Sequence, residues 1–209
     1  MTAATLAAAA VLAGCGSQTP PTAPAASIAG VSIAGVAPTA PPTGLSWTSF
    51  QGMAIPVADQ GPHTTIPLVA PHGFDHTGPG AALAAINATV RMSVAADDQW
   101  ATVADLLLAP GAARDSWSVN RVRLSITAPV AAVAPRICGY EMTRYTPHRA
   151  DVSIVTRHRD DSLTANAASV VWSAAGDWQL QLPDPSAQIA PVTAIDTLPS
   201  SMITLAGQC

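Results

Sequence analysis

The chain has 209 residues, a net charge of −4, only 11% charged and 4% aromatic residues, and nine basic side chains that are all arginine. That length accommodates one folded domain with a targeting segment and a tether, and the acidic balance argues against a nucleic-acid partner, which would need a basic face. An Ala-, Pro- and Arg-rich composition without lysine points to a GC-rich genome and carries no functional signal.

Residues 2–14 form a small-residue apolar run that ends in Leu12-Ala13-Gly14-Cys15. This resembles the bacterial lipobox, in which the Cys thiol is acylated and the peptide is cut just before it. The resemblance implies a signal peptide over residues 1–14 and a lipid on Cys15. It implies a protein held at the cell membrane by that lipid and facing outside the cytoplasm. The run is too short to span a bilayer, which needs roughly 20 residues. No basic residue precedes it, so the expected start of translation lies upstream. Residues 15–44 read as a disordered Pro/Ala/Thr/Ser tether, uncharged after Cys15 and too poor in bulky side chains to fold. With Cys15 lipidated, Cys138 and Cys209 remain as an even pair. An oxidising compartment favours a disulfide between them, which would staple the residues 184–209, read as an irregular tail, onto the domain.

The folded domain is predicted over residues 45–183. Trp47, Phe50 and Met53, followed by Pro56 and Gly61-Pro62, suggest an extended arm that packs and then turns. Thr77-Gly78-Pro79 reads as an N-cap with an early-turn proline, which predicts a largely buried helix over residues 81–96. Trp100, Val103, Ala104, Leu107 and Leu108 follow helical spacing for a second helix, which Pro110-Gly111 ends. Residues 115–127 are ambiguous, since Val122, Leu124 and Ile126 alternate like a strand, but the context favours a third helix. Four strands follow, at 137–145, 150–158, 163–172 and 178–182, the last two joined by a hairpin with Gly176 near its end. The expected fold class is therefore α+β. N-terminal helices pack in a curved antiparallel sheet of about four strands, forming a cone.

An ordered set of phrases carries a second resemblance. These are Trp47-x₂-Phe50-x-Gly52-x₃-Pro56, Gly61-Pro62, Gly73-Phe74-x-His76-Thr77, Gly80-Ala81-x₂-Ala84-Ala85-x-Asn87, Tyr145-x-Pro147, Val171-Trp172 and Gly176-Asp177-Trp178. Together, over Ser46 to Leu182, they resemble a domain of unknown function found in actinobacterial lipoproteins and membrane-anchored proteins. Those proteins are often encoded near conjugative or integrative elements. The resemblance implies a nuclear transport factor 2-like fold and a non-enzymatic envelope role, and it implies no catalytic residues.

His63, His72, Asp75 and His76 are the densest group of potential metal ligands. Their spacing matches no known ligand set and runs directly into a helix start. Capping of free amides by Asp75 or His76 is the favoured reading, and no metal or cofactor is expected. Cys138 beside Gly139 is a nucleophile candidate, but pairing with Cys209 is favoured over catalysis. A cone offers a pocket for acid–base chemistry, with Asp105, Glu141, His148 and Asp151 as candidates. Cross-strand surface pairing, among Arg144, Arg149, Arg157 and Arg159, accounts for Glu141 and Asp151 more simply. Trp172 and Trp178 read as cross-strand core partners. The expected function is a non-enzymatic, protein-binding accessory of a conjugation or secretion assembly, with an envelope protein as partner. A small-ligand carrier using the cone is the alternative, and a hydrolase or isomerase comes third.

Overall fold

The computed structural model describes residues 37–130, 134–187, 190–207 and 209, all within the unit Ser32–Cys209. The predicted signal peptide, Cys15 and the tether before residue 37 lie outside the described residues.

The residues read as an extended arm form a hairpin of two strands, β1 (Ser46–Phe50) and β2 (Met53–Val57). Gln51 and Gly52 make its turn with φ of 50° and 84°, the paired positive values that a tight hairpin matching strand twist requires. A side chain at position 52 would also reach within 2.6 Å of the Val130 carbonyl oxygen.

Helix α1 (Gly78–Val94) begins three residues before its predicted start. The Thr77 hydroxyl accepts from the Gly80 amide at 3.2 Å, and Pro79 fits the first turn, where its missing N–H costs nothing. Gly80 cannot carry a side chain, since a Cβ there would lie 2.2 Å from the Asp75 carbonyl oxygen. Nearly every α1 residue up to Arg91 is buried, so the helix runs through the middle of the domain. Buried Asn87 donates to the carbonyls of Pro56 and Leu83, each at 3.1 Å, and so ties β2 to α1.

Two shorter helices follow, α2 (Trp100–Leu107) and α3 (Ala112–Arg121). The third helix predicted over residues 115–127 therefore starts earlier and stops at Arg121. The alternating Val122 and Leu124 that blurred the prediction lie past its end and are exposed. Arg121 is buried, and its Nη2 donates to the Ala95 carbonyl at 2.8 Å and to Asp97 at 3.1 Å. Asp97 in turn accepts from the Ile126 amide and the Ser125 hydroxyl, each at 2.9 Å, and these bonds hold its carboxyl below the usual carboxylate range.

The main sheet overturns the predicted fold class. It contains β3 (Arg136–Thr146), β4 (Arg149–Arg157), β5 (Leu163–Trp172), β6 (Trp178–Gln181), β7 (Val192–Ile195) and β8 (Ile203–Thr204). The order is β6-β5-β4-β3-β8, with β7 also pairing β5, and every named strand pairing is antiparallel. Among the described residues the fold is a six-stranded sheet plus a separate two-stranded sheet with three helices, mostly antiparallel β, and not helices packed in a cone of about four strands. The two extra strands come from residues read as an irregular tail. β7 lacks the alternating hydrophobic pattern because backbone pairing, rather than burial, recruits it: Val192, Thr193 and Ala194 are all exposed.

β8 shows how that recruitment works. Its neighbour Leu205 is buried and donates its amide to the Cys138 carbonyl at 2.9 Å. Cys138 and Cys209 stand at disulfide distance, with Cα atoms 5.0 Å apart. Gly139 faces β8, and a Cβ there would meet the Ile203 carbonyl oxygen at 2.3 Å. The Trp47 indole on β1 donates to the Ala206 carbonyl at 3.1 Å.

Candidate functional site

Many of the chemistry-bearing residues singled out in the sequence are taken up by structural bonds. His63 Nε2 and Asp75 Oδ1 lie 2.9 Å apart at the surface, while His72 Nδ1 bonds the Ala70 carbonyl at 3.2 Å. His76 turns the other way, its Nε2 bonding the Pro147 carbonyl and its ring stacking on Trp172. The four do not converge, and among the described residues no three His, Cys, Asp or Glu side chains form a metal-sized group. Asp75 does not cap α1 with its carboxylate; Thr77 does.

Around His76 lies an aromatic knot. Its ring centroid is 3.8 Å from that of Trp172 at 10° between planes, and Trp178 meets both rings edge-on. The Trp178 indole donates to the Asp75 carbonyl at 3.0 Å, and the Tyr145 hydroxyl donates to the His76 carbonyl at 3.3 Å. Burial raises the Tyr145 phenol above its ordinary range. Asp177, at the β5–β6 turn, accepts from the amides of Gly73 and Phe74 at 2.5 and 3.0 Å. It satisfies backbone donors some hundred residues away in sequence.

The carboxylates proposed for acid–base work stand on the surface. Asp151 is bonded by Arg149 at 2.9 Å and by Ser169 at 2.6 Å, and Arg144 lies 3.7 Å away. Glu141 accepts from Ser201, and Asp105 and His148 are exposed. One space between α1 and the sheet, beside Val90, Ile137 and Ile154, is about 140 Å³. Small-molecule pockets usually exceed roughly 300 Å³.

A larger groove lies elsewhere. It measures about 810 Å³ and runs between the β1–β2 hairpin and the 62–71 loop, with Thr48, Phe50, Val57, Leu68, Val69 and Arg91 among its walls. The loop is a narrow finger. His63 donates to Gly73 and Thr64 exchanges two backbone bonds with His72 at its base, while Ile66 and Leu68 at its tip are 80% and 77% exposed. Arg91 holds the tip from below: its Nη1 donates to the carbonyls of Leu68 and Val69 at 3.1 and 3.0 Å. The same guanidinium lies 4.4 Å from the centroid of the Phe50 ring. Arg91 is 2% exposed, its Nε has no hydrogen-bond partner, and burial pushes its pKa down to about 10. A second cleft of about 510 Å³ lies around Trp117, Leu182 and Pro183, and no charged side chain lines it.

A family model described as "Domain of unknown function (DUF8175)" matches residues 8–201. The chain belongs to that family. The DUF8175 match runs past both ends of the Ser46–Leu182 stretch that carried the resemblance, reaching back into the apolar run and forward to β7 and the turn before β8. No curated protein and no solved structure matches this DUF8175 chain. Among the described residues no helix is long and apolar enough to cross a membrane.

The sequence reading missed the groove. Arg91 is the single charged residue of α1, set in an otherwise apolar and small-residue helix. That isolation was the available signal, since a lone charge facing a core needs a reason. The finger was hidden because its residues read as loop chemistry with no periodicity.

Proposed function

We propose that this DUF8175 protein is a non-catalytic envelope protein, held at the outer face of the cell membrane by a lipid on Cys15, that docks another protein through the finger and its groove. One observation carries the docking reading. Ile66 and Leu68 are the two most exposed large apolar side chains of the described residues, and Leu68 lines the groove of about 810 Å³. Solvent-facing apolar groups beside a concave surface are the usual mark of a protein-binding site. The dispersal of His63, His72, Asp105, Glu141, His148 and Asp151 into surface pairs or solvent favours binding over catalysis. Participation in a conjugation or secretion assembly is part of the proposal, and it rests on the sequence resemblance alone.

The test is photocrosslinking in intact cells, with a photoreactive amino acid replacing Leu68 and, as a control, Val192 on β7. A discrete adduct with one envelope protein from position 68 and none from 192 supports docking through the finger. No adduct from position 68, or the same adducts from both positions, overturns it. If the captured partner has no transfer or secretion gene near it, the assembly part of the proposal falls.

A further inference from the structure

Among the described residues, the free edges of the two sheets are blunted at every strand except β1. β2 contains Pro56, whose carbonyl is taken by Asn87 of α1. The stretch of β3 beyond β8 carries Glu141, Arg144 and a register shift. β6 is bridged by Leu108, with the Ala109 amide on the Leu180 carbonyl. β7 lies between Pro191 and Asp196, and β8 is two residues long. Short strands, prolines, charges, bulges and covering segments are the usual means by which a sheet avoids pairing with another chain. β1 has none of these: Ser46-Trp47-Thr48-Ser49-Phe50 is uncharged, free of proline and pairs β2 in unbroken register.

Opposite residues of an antiparallel pair alternate between those that exchange hydrogen bonds with each other and those that point them outward. Trp47 faces Pro56, which has no N–H and turns its carbonyl to Asn87, so this pair points outward, and Ser49–Ala54 is the next to do so. Trp47 and Ser49 therefore present two N–H and two C=O groups along the free edge, and no described backbone group bonds them. The edge is reachable, since Ser46, Thr48 and Ser49 are exposed and all three line the groove of about 810 Å³. Resting on the docking reading, we infer that the partner polypeptide enters this groove as an extended strand and pairs with the outer edge of β1. Its backbone exchanges bonds with Trp47 and Ser49, and its alternate side chains lie toward Val57 and Leu68 on the groove walls. The uncharged surface of β1 makes no demand for charge on that strand. Selection comes from apolar side chains at every second position.

The test uses the full chain with a photoreactive amino acid at position 68 or, separately, at position 46, crosslinked in intact cells. In the purified adduct, the Trp47 and Ser49 amides should exchange with solvent on the order of tenfold more slowly than in the free chain. Ser49→Pro removes an outward N–H without touching a β1–β2 bond. It is expected to lower the adduct yield from position 68 about tenfold, whereas Ser49→Ala keeps it. Unchanged exchange in the adduct, or equal yields from the two variants, overturns strand addition and spares the docking reading. Protection of both amides in the free chain that grows with concentration assigns the edge to a second copy and overturns the inference. An adduct from position 46 with slowed amides, and none from position 68, supports the edge and overturns docking through the finger. No adduct from either position overturns both. The exchange measurement decides even where Ser49→Pro does not fold.

Discussion

His76 lies flat on Trp172, ring centroids 3.8 Å apart, and its imidazole is simultaneously bonded to the Pro147 carbonyl. A histidine occupied on its face and at Nε2 serves as a packing element, and Trp178 closes the cluster beneath it. Trp178 is buried and Trp172 is half-buried. Trp178→Ala should therefore cost about 3–5 kcal/mol, and Trp172→Ala less, about 1–3 kcal/mol. Urea unfolding of the two variants gives the order; a larger loss at Trp172 would contradict the burial seen here.

Asp177 spans the longest sequence distance in this cluster. Asp177→Ala leaves the amides of Gly73 and Phe74 without their acceptor, a loss of about 1–3 kcal/mol. Hydrogen exchange should show both amides losing protection in the variant before the β4 core does. Unchanged protection at positions 73 and 74 would mean the carboxylate does not hold the base of the finger.

The tail depends on Cys138–Cys209 and on Gly139 together. Removing the disulfide, which closes a span of 71 residues, is expected to cost roughly 2–4 kcal/mol. Gly139→Ala acts on the same pairing by driving a Cβ into the Ile203 carbonyl. Because both changes release the same strand, their effects should not add. Thermal melts of Cys138→Ser, Gly139→Ala and the double variant provide the comparison, and strict additivity would separate the two roles.

Asp97 supplies a pH dependence. Its folded-state pKa is depressed by the bonds from Ile126, Ser125 and Arg121. A depressed carboxyl contributes stability that is present above its unfolded pKa and is lost as pH falls through the folded one. The melting temperatures of wild type and Asp97→Asn should differ near neutrality and converge below the ordinary carboxylate range. A gap that stays constant to low pH would remove Asp97 from the account.

At the other end of the chain, Cys15→Ala should release the protein from the membrane fraction. Palmitate labelling that persists in that variant would refute the anchor.

How far the fold could be read from the sequence follows from which signals are local. Thr77 and Pro79 announce α1, and Val152 and Ile154 alternate visibly along β4, because each element carries its own cap or burial pattern. β1 and β2 read as an arm in the sequence because their turn is Gln51-Gly52, and glutamine rarely accepts a positive φ. β7 has no face to bury and β8 is only two residues long, and their positions depend on Ala165, Gly139 and Cys138 some 30 to 70 residues away. The groove was illegible for a similar reason. Arg91 and the carbonyls it bonds are 22 and 23 residues apart in sequence, and nothing local to either announces the other.

The finger is fixed at both ends, by Asp177 at its base and by Arg91 under its tip. That double restraint has a kinetic consequence. On the docking proposal, a partner would meet Ile66 and Leu68 already in their bound arrangement, and recognition would proceed as the encounter of two rigid bodies. Association in the ordinary range of about 10⁵–10⁷ M⁻¹s⁻¹ is expected, with the residence time, and not the on-rate, responding to changes at the tip.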